Sequence, residues 1–151
     1  MTRLTIRRPD DMHVHLREGD MLKCVAPLTA QHFARALVMP NLSKPVVTGY
    51  DVAHYREAVR SAAPGFTPLM TVKLLDGMTQ ETILTAKAAG AIAAKFYPRG
   101  VTTNAEDGVS DPLALDSVYG TMQACGMVLC LHGEAPGVFC MDREAAFLKT
   151  L

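Results

Sequence analysis

The stretch DDMHVHLREGD, residues 10–20, places two histidines, His13 and His15, on either side of a single valine. Side chains alternate between the two faces of an extended strand, so positions two apart point the same way. If residues 10–15 form a strand, both imidazoles project from one face and lie close enough to share a metal ion. Taken alone, the pattern is also open to a chance pair of histidines.

Outward from this stretch, short apolar runs alternate with segments of helical spacing. The strand-like runs are residues 10–15, 34–41, 66–75, 91–98 and 127–134, and the helical segments are 51–63, 79–90, 111–126 and 142–151. Apolar strands separated by helices predict a parallel sheet with right-handed crossovers. An open doubly wound sheet and a (β/α)8 barrel both fit this order. The G-x-G-x-x-G motif that would favour a dinucleotide-binding fold is absent after the first strand.

Capping and breaking residues mark several element ends. Thr79 is a candidate N-cap, and Gly90 follows the same helix. Asp142 is a candidate N-cap of the last helix, whose pattern is still running at Leu151. The least defined region is 18–32, where MLKCVAPL could form a short helix that Pro27 cuts.

Composition narrows the class of protein. The 151 residues include 15 basic and 15 acidic side chains, with no basic stripe or acidic tail, so nucleic-acid and membrane-surface binding have no support. The charged start MTRLTIRRPDD lacks the apolar core of a signal peptide, and no later apolar stretch approaches membrane-spanning length. The four cysteines form no C-x-x-C pair. We therefore expect a single domain in the reducing cytoplasm.

Polar residues collect where the predicted strands end. Chemistry in parallel α/β folds gathers at the carboxyl ends of strands. The first strand ends in HVHLR, the second in MPN, the fourth in AKFYP and the fifth in CLHGE, which brings Arg17, Asn41, Lys95 and His132 to one end of the sheet. Each could singly be a surface residue, a cap or a hydrogen-bonded rim residue, but their combination indicates a functional site.

Lys95 lies inside AIAAKFYP, a run that a parallel sheet would bury on both faces. An unpaired buried ammonium is costly, and burial lowers the pKa of a lysine so that its amine becomes neutral and reactive. A neutral amine beside divalent metals can add carbon dioxide and become a carbamate, an anionic oxygen ligand able to bridge two metals. In the other interpretation the ammonium reaches water at the strand end, and this segment taken alone favours that interpretation.

The sequence resembles the dihydroorotases, specifically the single-function bacterial type within the amidohydrolase superfamily. The matching stretches are RRPDDMHVHLREGDML, VMPNL, AAKFYPRGVTTN, LHGE and FCMDRE, in family order from about residue 5 to residue 147. H-x-H on the first strand is shared across the superfamily. The combination of PDD-x-H-x-HLR, MPN and AK-x-YP with a downstream TTN is much more specific.

The resemblance implies a zinc-dependent enzyme of pyrimidine (UMP) biosynthesis that interconverts N-carbamoyl-L-aspartate and (S)-dihydroorotate. Two zinc ions per active site are implied, with His13 and His15 on one, His132 on the other and carboxylated Lys95 bridging both. Arg17 and Asn41 would hold the substrate carboxylate, which suits a bidentate guanidinium and an amide donor. Substrate contacts are also implied for His132 and for Thr102 and Thr103, which match a mobile loop that covers the substrate.

The resemblance also implies groups that lie beyond Leu151. These are a general-base aspartate on strand eight and a third histidine on strand six, so no catalytic residue falls within this chain. A (β/α)8 barrel needs about 250 residues, so this chain would supply about the first five β/α units of one incomplete barrel domain. The chain would be a fragment, one half of a split enzyme or a repurposed assembly partner. We expect it to be inactive alone, and the full-length enzyme to be a homodimer.

Two alternative functions stay open at this stage. A hydantoinase or allantoinase would share the H-x-H pattern and the lysine, whereas Arg17 and Asn41 suit a carboxylated ring. A non-catalytic homologue that acts through protein contacts would be expected to have lost ligands, yet every ligand expected in residues 1–151 is present. Histidine and carboxylate ligands also accept cobalt or manganese in place of zinc.

Overall fold

The computed structural model describes residues 3–150, which form a five-stranded parallel sheet with helical crossovers. The strands are β1 (Asp10–Val14), β2 (Arg35–Val38), β3 (Thr67–Lys73), β4 (Ala91–Phe96) and β5 (Val128–Leu131). The helices are α1 (Gly19–His32), α2 (Gly49–Ala62), α3 (Gln80–Ala88), α4 (Asp116–Ala124) and α5 (Arg143–Leu148), with a 3₁₀ turn at Pro112–Leu115. The strands lie side by side in chain order, and every pair is parallel. Because a doubly wound sheet reverses its strand order, this sequential order favours the barrel.

The sheet carries unequal layers of apolar side chains on its two faces. The larger core joins strand residues such as Val72 and Phe96 to helix residues such as Val52, Val59 and Ile83. The opposite face carries a smaller cluster of Leu37, Met39 and Ala93, with Leu69 and Cys130 packed against it. Side chains two apart on a strand share a face, so Lys95 belongs to the same side as Ala93. The polar strand ends therefore lie on the less filled face.

Helix α1 corrects the expectation of a short helix cut by Pro27. It runs unbroken from Gly19 to His32 with Pro27 inside it. Proline removes one backbone donor, but the buried contacts of Leu22 and Ala26 hold the turns on either side against the core. Tertiary packing overrides the local preference for a break.

Other helix ends were predicted with mixed success. Thr79 caps α3 by accepting a hydrogen bond from the amide of Thr82, as expected. Asp142 occupies the N-cap position of α5, as predicted, but its side chain makes no capping hydrogen bond and its backbone is already helical. The helix that follows ends at Leu148, three residues short of the prediction, and Leu151 lies outside the described residues.

Helix α2 begins earlier than its apolar spacing predicts, at Gly49 rather than residue 51. Thr48 and Asp51 form a capping box, in which the Thr48 side chain accepts from the Asp51 amide and the Asp51 carboxylate accepts from the Thr48 amide. Two of the backbone donors at the helix start are thereby satisfied. Within residues 3–150, no helix is both long and apolar enough to cross a membrane.

The two outer strands, β1 and β5, each pair with a single neighbour in the described sheet. On β5, Val128 is 59% exposed and Leu129 and Leu131 are each 39% exposed, although the sequence reads as a buried run. An edge strand of this apolarity is a surface that other β structure normally covers. This agrees with the expectation that five units leave a barrel unclosed.

Candidate active site

His13 and His15 lie on one side of β1, as their spacing predicts. Their Nε2 atoms are 3.2 Å apart. Burial, and then the positive charge of Lys95, lowers the pKa of His13. Burial, and then the charge of Arg17, does the same for His15. Both rings are therefore held neutral at physiological pH, the form in which imidazole offers a lone pair to a metal.

Lys95 is 2% exposed at the carboxyl end of β4. Its Nζ donates to the carbonyl of Leu131 at 3.1 Å and lies 5.2 Å from the centroid of the Tyr97 ring. Burial lowers the pKa of Lys95. The interpretation in which its ammonium reaches bulk water is therefore wrong, and the amine is disposed towards the neutral, nucleophilic form.

His132 follows β5 directly, and Glu134, which carried no predicted role, contacts its ring. Its Nε2 lies 3.1 Å from a carboxylate oxygen of Glu134, whose other oxygen accepts from Arg143 at 3.3 Å. A carboxylate at Nε2 keeps the ring proton on that nitrogen and leaves Nδ1 as the free lone pair. Glu134 and Arg143 belong to the LHGE and MDRE stretches, so the motifs contained the signal.

Arg17 lines a cavity of about 310 Å³, and Asn41 lies next to it, hydrogen-bonded to the lining residue Thr103. Arg17 adopts a left-handed backbone conformation (φ 59°), and its carbonyl accepts a 2.7 Å hydrogen bond from the Tyr55 hydroxyl. Asn41 is 3% exposed, and its Nδ2 donates to the carbonyl of Thr103 at 3.2 Å. Its Oδ1 is buried without a hydrogen-bond partner among residues 3–150. A non-glycine residue with positive φ and an unsatisfied buried amide are features that cluster at functional sites.

The loop of residues 99–110 closes one side of this cavity. Thr102 is half-buried and Thr103 is exposed. Thr103 and Asn104 line the cavity together with Arg17, so the structure brings the predicted loop beside the predicted carboxylate-binding pair.

The imidazoles of His13 and His15 fit one divalent ion. In the described part of the chain, no three His, Cys, Asp or Glu side chains converge on one point. The predicted set does not require this, since it divides the histidines between two ions with Lys95 between them. Two nitrogens bound to one tetrahedral zinc at about 2.0–2.1 Å lie about 3.3 Å apart, close to the observed 3.2 Å between His13 and His15.

A parallel sheet whose strands lie in chain order and are joined by helical crossovers defines the class of the (β/α)8 barrels. The chain supplies the first five β/α units of such a barrel, and the predicted fold class is confirmed. The L-hydantoinase of Arthrobacter aurescens shares this fold, with a TM-score of 0.68 at 20% identity over 84% of this chain.

Two solved dihydroorotases are much more similar. The enzyme from Saccharomyces cerevisiae, crystallised with 5-fluoroorotic acid, superposes with a TM-score of 0.88 at 36% identity, covering 93% of this chain and 42% of that one. The Campylobacter jejuni dihydroorotase gives 0.87 at 37% identity, covering 95% and 43%.

Sequence comparison agrees with the structural comparison. The dihydroorotase of Neisseria meningitidis serogroup B is 48% identical over 98% of this chain, and that of Cereibacter sphaeroides is 49% identical over 97%. The chain spans 44% of the length of each. No family model matches the sequence. The resemblance to the dihydroorotases is thus confirmed, with the chain corresponding to an N-terminal part.

Proposed function

We propose that this chain is the N-terminal portion of a single amidohydrolase barrel domain that interconverts N-carbamoyl-L-aspartate and (S)-dihydroorotate in the cytoplasm. The observation that carries this proposal is the buried Lys95, 2% exposed, at the same sheet end as the paired imidazoles of His13 and His15. The identity of 48% to a curated dihydroorotase supports it. Arg17 in the lining of the adjacent cavity, with Asn41 bonded to the lining residue Thr103, favours a substrate with a carboxylate over an uncharged hydantoin ring.

Lys95 would become a metal ligand by carboxylation. The lone pair of its neutral amine attacks the carbon of carbon dioxide, a nitrogen–carbon bond forms, one carbon–oxygen π bond shifts its electrons to oxygen, and the nitrogen releases a proton. The product is an anionic carbamate with two oxygen donors. Two zinc ions would then be held by that carbamate together with His13 and His15 on one side and His132 on the other. When bound, such ions acidify a water molecule and polarise an amide carbonyl.

The remaining residues would position the substrate. The Arg17 guanidinium offers paired donors to a carboxylate, and the Asn41 side chain adds a neutral polar group beside it. Glu134 would hold the His132 ring so that Nδ1 faces the metals. Thr102 and Thr103, on the loop at residues 99–110, would cover the bound substrate and exclude water.

The test is to join this chain to the remainder of the Neisseria meningitidis relative, giving a protein that we call the completed barrel. We expect the completed barrel to hydrolyse dihydroorotate, measured as a loss of ultraviolet absorbance of the substrate. We also expect it to bind two zinc ions per chain. Lys95→Arg, which keeps the charge but cannot form the same carbamate ligand, should abolish both. Zinc binding and turnover that persist in Lys95→Arg would contradict the proposal.

The same completed barrel separates the alternative functions. Fast hydantoin hydrolysis beside slow dihydroorotate turnover would replace the proposal with a hydantoinase. Absence of zinc together with absence of turnover would favour a non-catalytic homologue. We expect the 151-residue chain alone to show no turnover, and measurable activity of the purified chain would contradict that expectation. Sedimentation of the completed barrel tests the proposed homodimer.

A further inference from the structure

Lys73 is a second buried lysine at the same end of the sheet, and the proposed chemistry does not use it. It is the last residue of β3, is 1% exposed, and lies in register with Lys95 on the neighbouring strand. The Nζ atoms of the two lysines lie 5.8 Å and 5.2 Å from the centroid of the same Tyr97 ring. A buried lysine requires partners for its ammonium, so its contacts indicate its role.

The partners of Lys73 lie on the loop of residues 99–110. Its Nζ donates to the backbone carbonyl of Asn104 at 2.6 Å and forms an ion pair with the Asp107 carboxylate. These partners are 31 and 34 residues away in sequence. Lys95 differs, since its Nζ donates to a carbonyl of the adjacent strand. Lys73 therefore connects the rigid sheet to the loop.

Further contacts join the same part of the loop to Asn41. The side chain of Asn104 donates to the Asn41 carbonyl at 3.2 Å, and the side chain of Asn41 donates to the Thr103 carbonyl at 3.2 Å. Asn104 has a left-handed backbone (φ 55°), which an asparagine adopts more readily than most residues. The bond from Lys73 to the Asn104 carbonyl holds the peptide at this turn.

The ends of the loop are fastened separately. Asp76 accepts from the Arg99 guanidinium at 2.7 Å and from the Ser110 amide at 2.9 Å. Since Asp76 holds only the two ends of the loop, the position of its middle residues depends on their own contacts with the sheet. Lys73 supplies the buried charge at that point, and Asp107, whose side chain is 49% exposed, supplies its counter-charge.

We propose that Lys73 is a positioning residue: its ion pair with Asp107 and its bond to Asn104 hold the loop of residues 99–110 against Asn41, beside the cavity at Arg17. The consequence for substrate binding rests on the proposed function, because it assumes that Thr102 and Thr103 cover a substrate there. The consequence for loop order does not, since it follows from the contacts of the chain itself.

The first test measures loop order in the 151-residue chain. Lys73→Met keeps the buried aliphatic stem and removes the ammonium, and Asp107→Ala removes the counter-charge from an accessible position. Lys23→Met, which removes an exposed lysine paired with Asp20, is the matched control. Hydrogen exchange of residues 99–110 and cleavage after Glu106 by a glutamate-specific protease report the opening of the loop.

We expect both loop variants to speed exchange and cleavage by about tenfold or more, because each loses one charged hydrogen bond. The control should leave both rates unchanged. If Lys73→Met does not fold, Asp107→Ala decides alone, because Asp107 is 49% exposed and its replacement changes no buried side chain. Unchanged exchange and cleavage in a folded variant would overturn the proposal.

The second test separates this inference from the proposed function. In the completed barrel, we expect Lys73→Met to raise KM for dihydroorotate by about tenfold with zinc content unchanged, as loss of about 1.4 kcal/mol of binding would give. A loosened loop with KM and kcat both unchanged would overturn the positioning role. If the unsubstituted completed barrel has no dihydroorotate activity, the proposed function fails, and the exchange measurement still decides whether Lys73 holds the loop.

Discussion

Replacing Lys95 by methionine should make the metal-free chain more stable, although it removes the proposed bridging ligand. Lys95 is 2% exposed, and its amine has one hydrogen bond, to the Leu131 carbonyl. Methionine keeps the length and most of the buried apolar surface of the side chain. Exchanging buried ionic groups for apolar ones of similar volume is neutral or stabilising by about 1–4 kcal/mol, and the lost hydrogen bond offsets about 1 kcal/mol. We expect a net gain of about 0–3 kcal/mol near pH 7.

The pH dependence gives this prediction its sharpest form. Burial lowers the pKa of Lys95 below its ordinary 10.5, so the unfolded chain binds more protons than the folded chain between the two values. The stability of the unsubstituted chain should therefore rise with pH through that window. Lys95→Met has no such group at this position. Its advantage should be complete below the lowered pKa and should disappear above about pH 10.5.

The assay is urea denaturation followed by circular dichroism, in chelator-treated buffer free of bicarbonate so that the amine stays unmodified. Measurements at about pH 7, 8.5 and 10 compare the unsubstituted chain, Lys95→Met and the exposed control Lys23→Met. The control should lie within about 0.5 kcal/mol of the unsubstituted chain at each pH. A Lys95→Met chain that is less stable near pH 7, or one whose advantage is the same at every pH, would refute the reasoning.

Other expected outcomes test the helix cap, the buried phenol and the histidine support. Thr48→Ala should lower the free energy of unfolding in urea by about 1 kcal/mol through loss of the α2 cap. Burial opposes ionisation of Asp51, but the hydrogen bonds from Thr48 hold its pKa below 3.8. Asp51→Asn should therefore be less stable than the unsubstituted chain above about pH 3.8, and this difference should vanish as the pH falls through the lowered pKa. Tyr97→Phe removes a buried hydroxyl that has no hydrogen-bond partner in residues 3–150. It should raise the free energy of unfolding in urea by about 1 kcal/mol. In the completed barrel, Glu134→Ala should weaken zinc affinity about 10–100-fold in chelator competition and Glu134→Gln less, whereas equal effects would argue against orientation of His132 by hydrogen bonding.

Local sequence patterns were sufficient to predict the order of elements and the end of the sheet that carries the polar residues. The spacing of His13 and His15 fixes their common side, since alternation along a strand is a property of the backbone itself. The apolar run around Lys95 predicts a buried strand, but it does not predict that the ammonium itself is buried. Parallel strands all present their carboxyl ends to one side, so residues that follow different strands meet without any knowledge of their contacts.

Contacts between distant segments were beyond the reach of those patterns. Pro27 reads as a break until the packing of α1 against the core is known. Lys73 has nothing in its own segment to mark it, because its partners at Asn104 and Asp107 are more than thirty residues away. The pairing of Glu134 with His132 is close in sequence, yet only the path of the chain after β5 turns the carboxylate towards the ring.

The sequence by itself determined a parallel β/α chain with imidazole, lysine and arginine groups at the strand ends, because backbone periodicity and strand direction are local. The tertiary structure alone decided which of those groups are buried, which carry partners and where the loop of residues 99–110 lies. Burial and ion pairing depend on the distance between atoms of remote segments, and that distance exists only after the sheet has assembled.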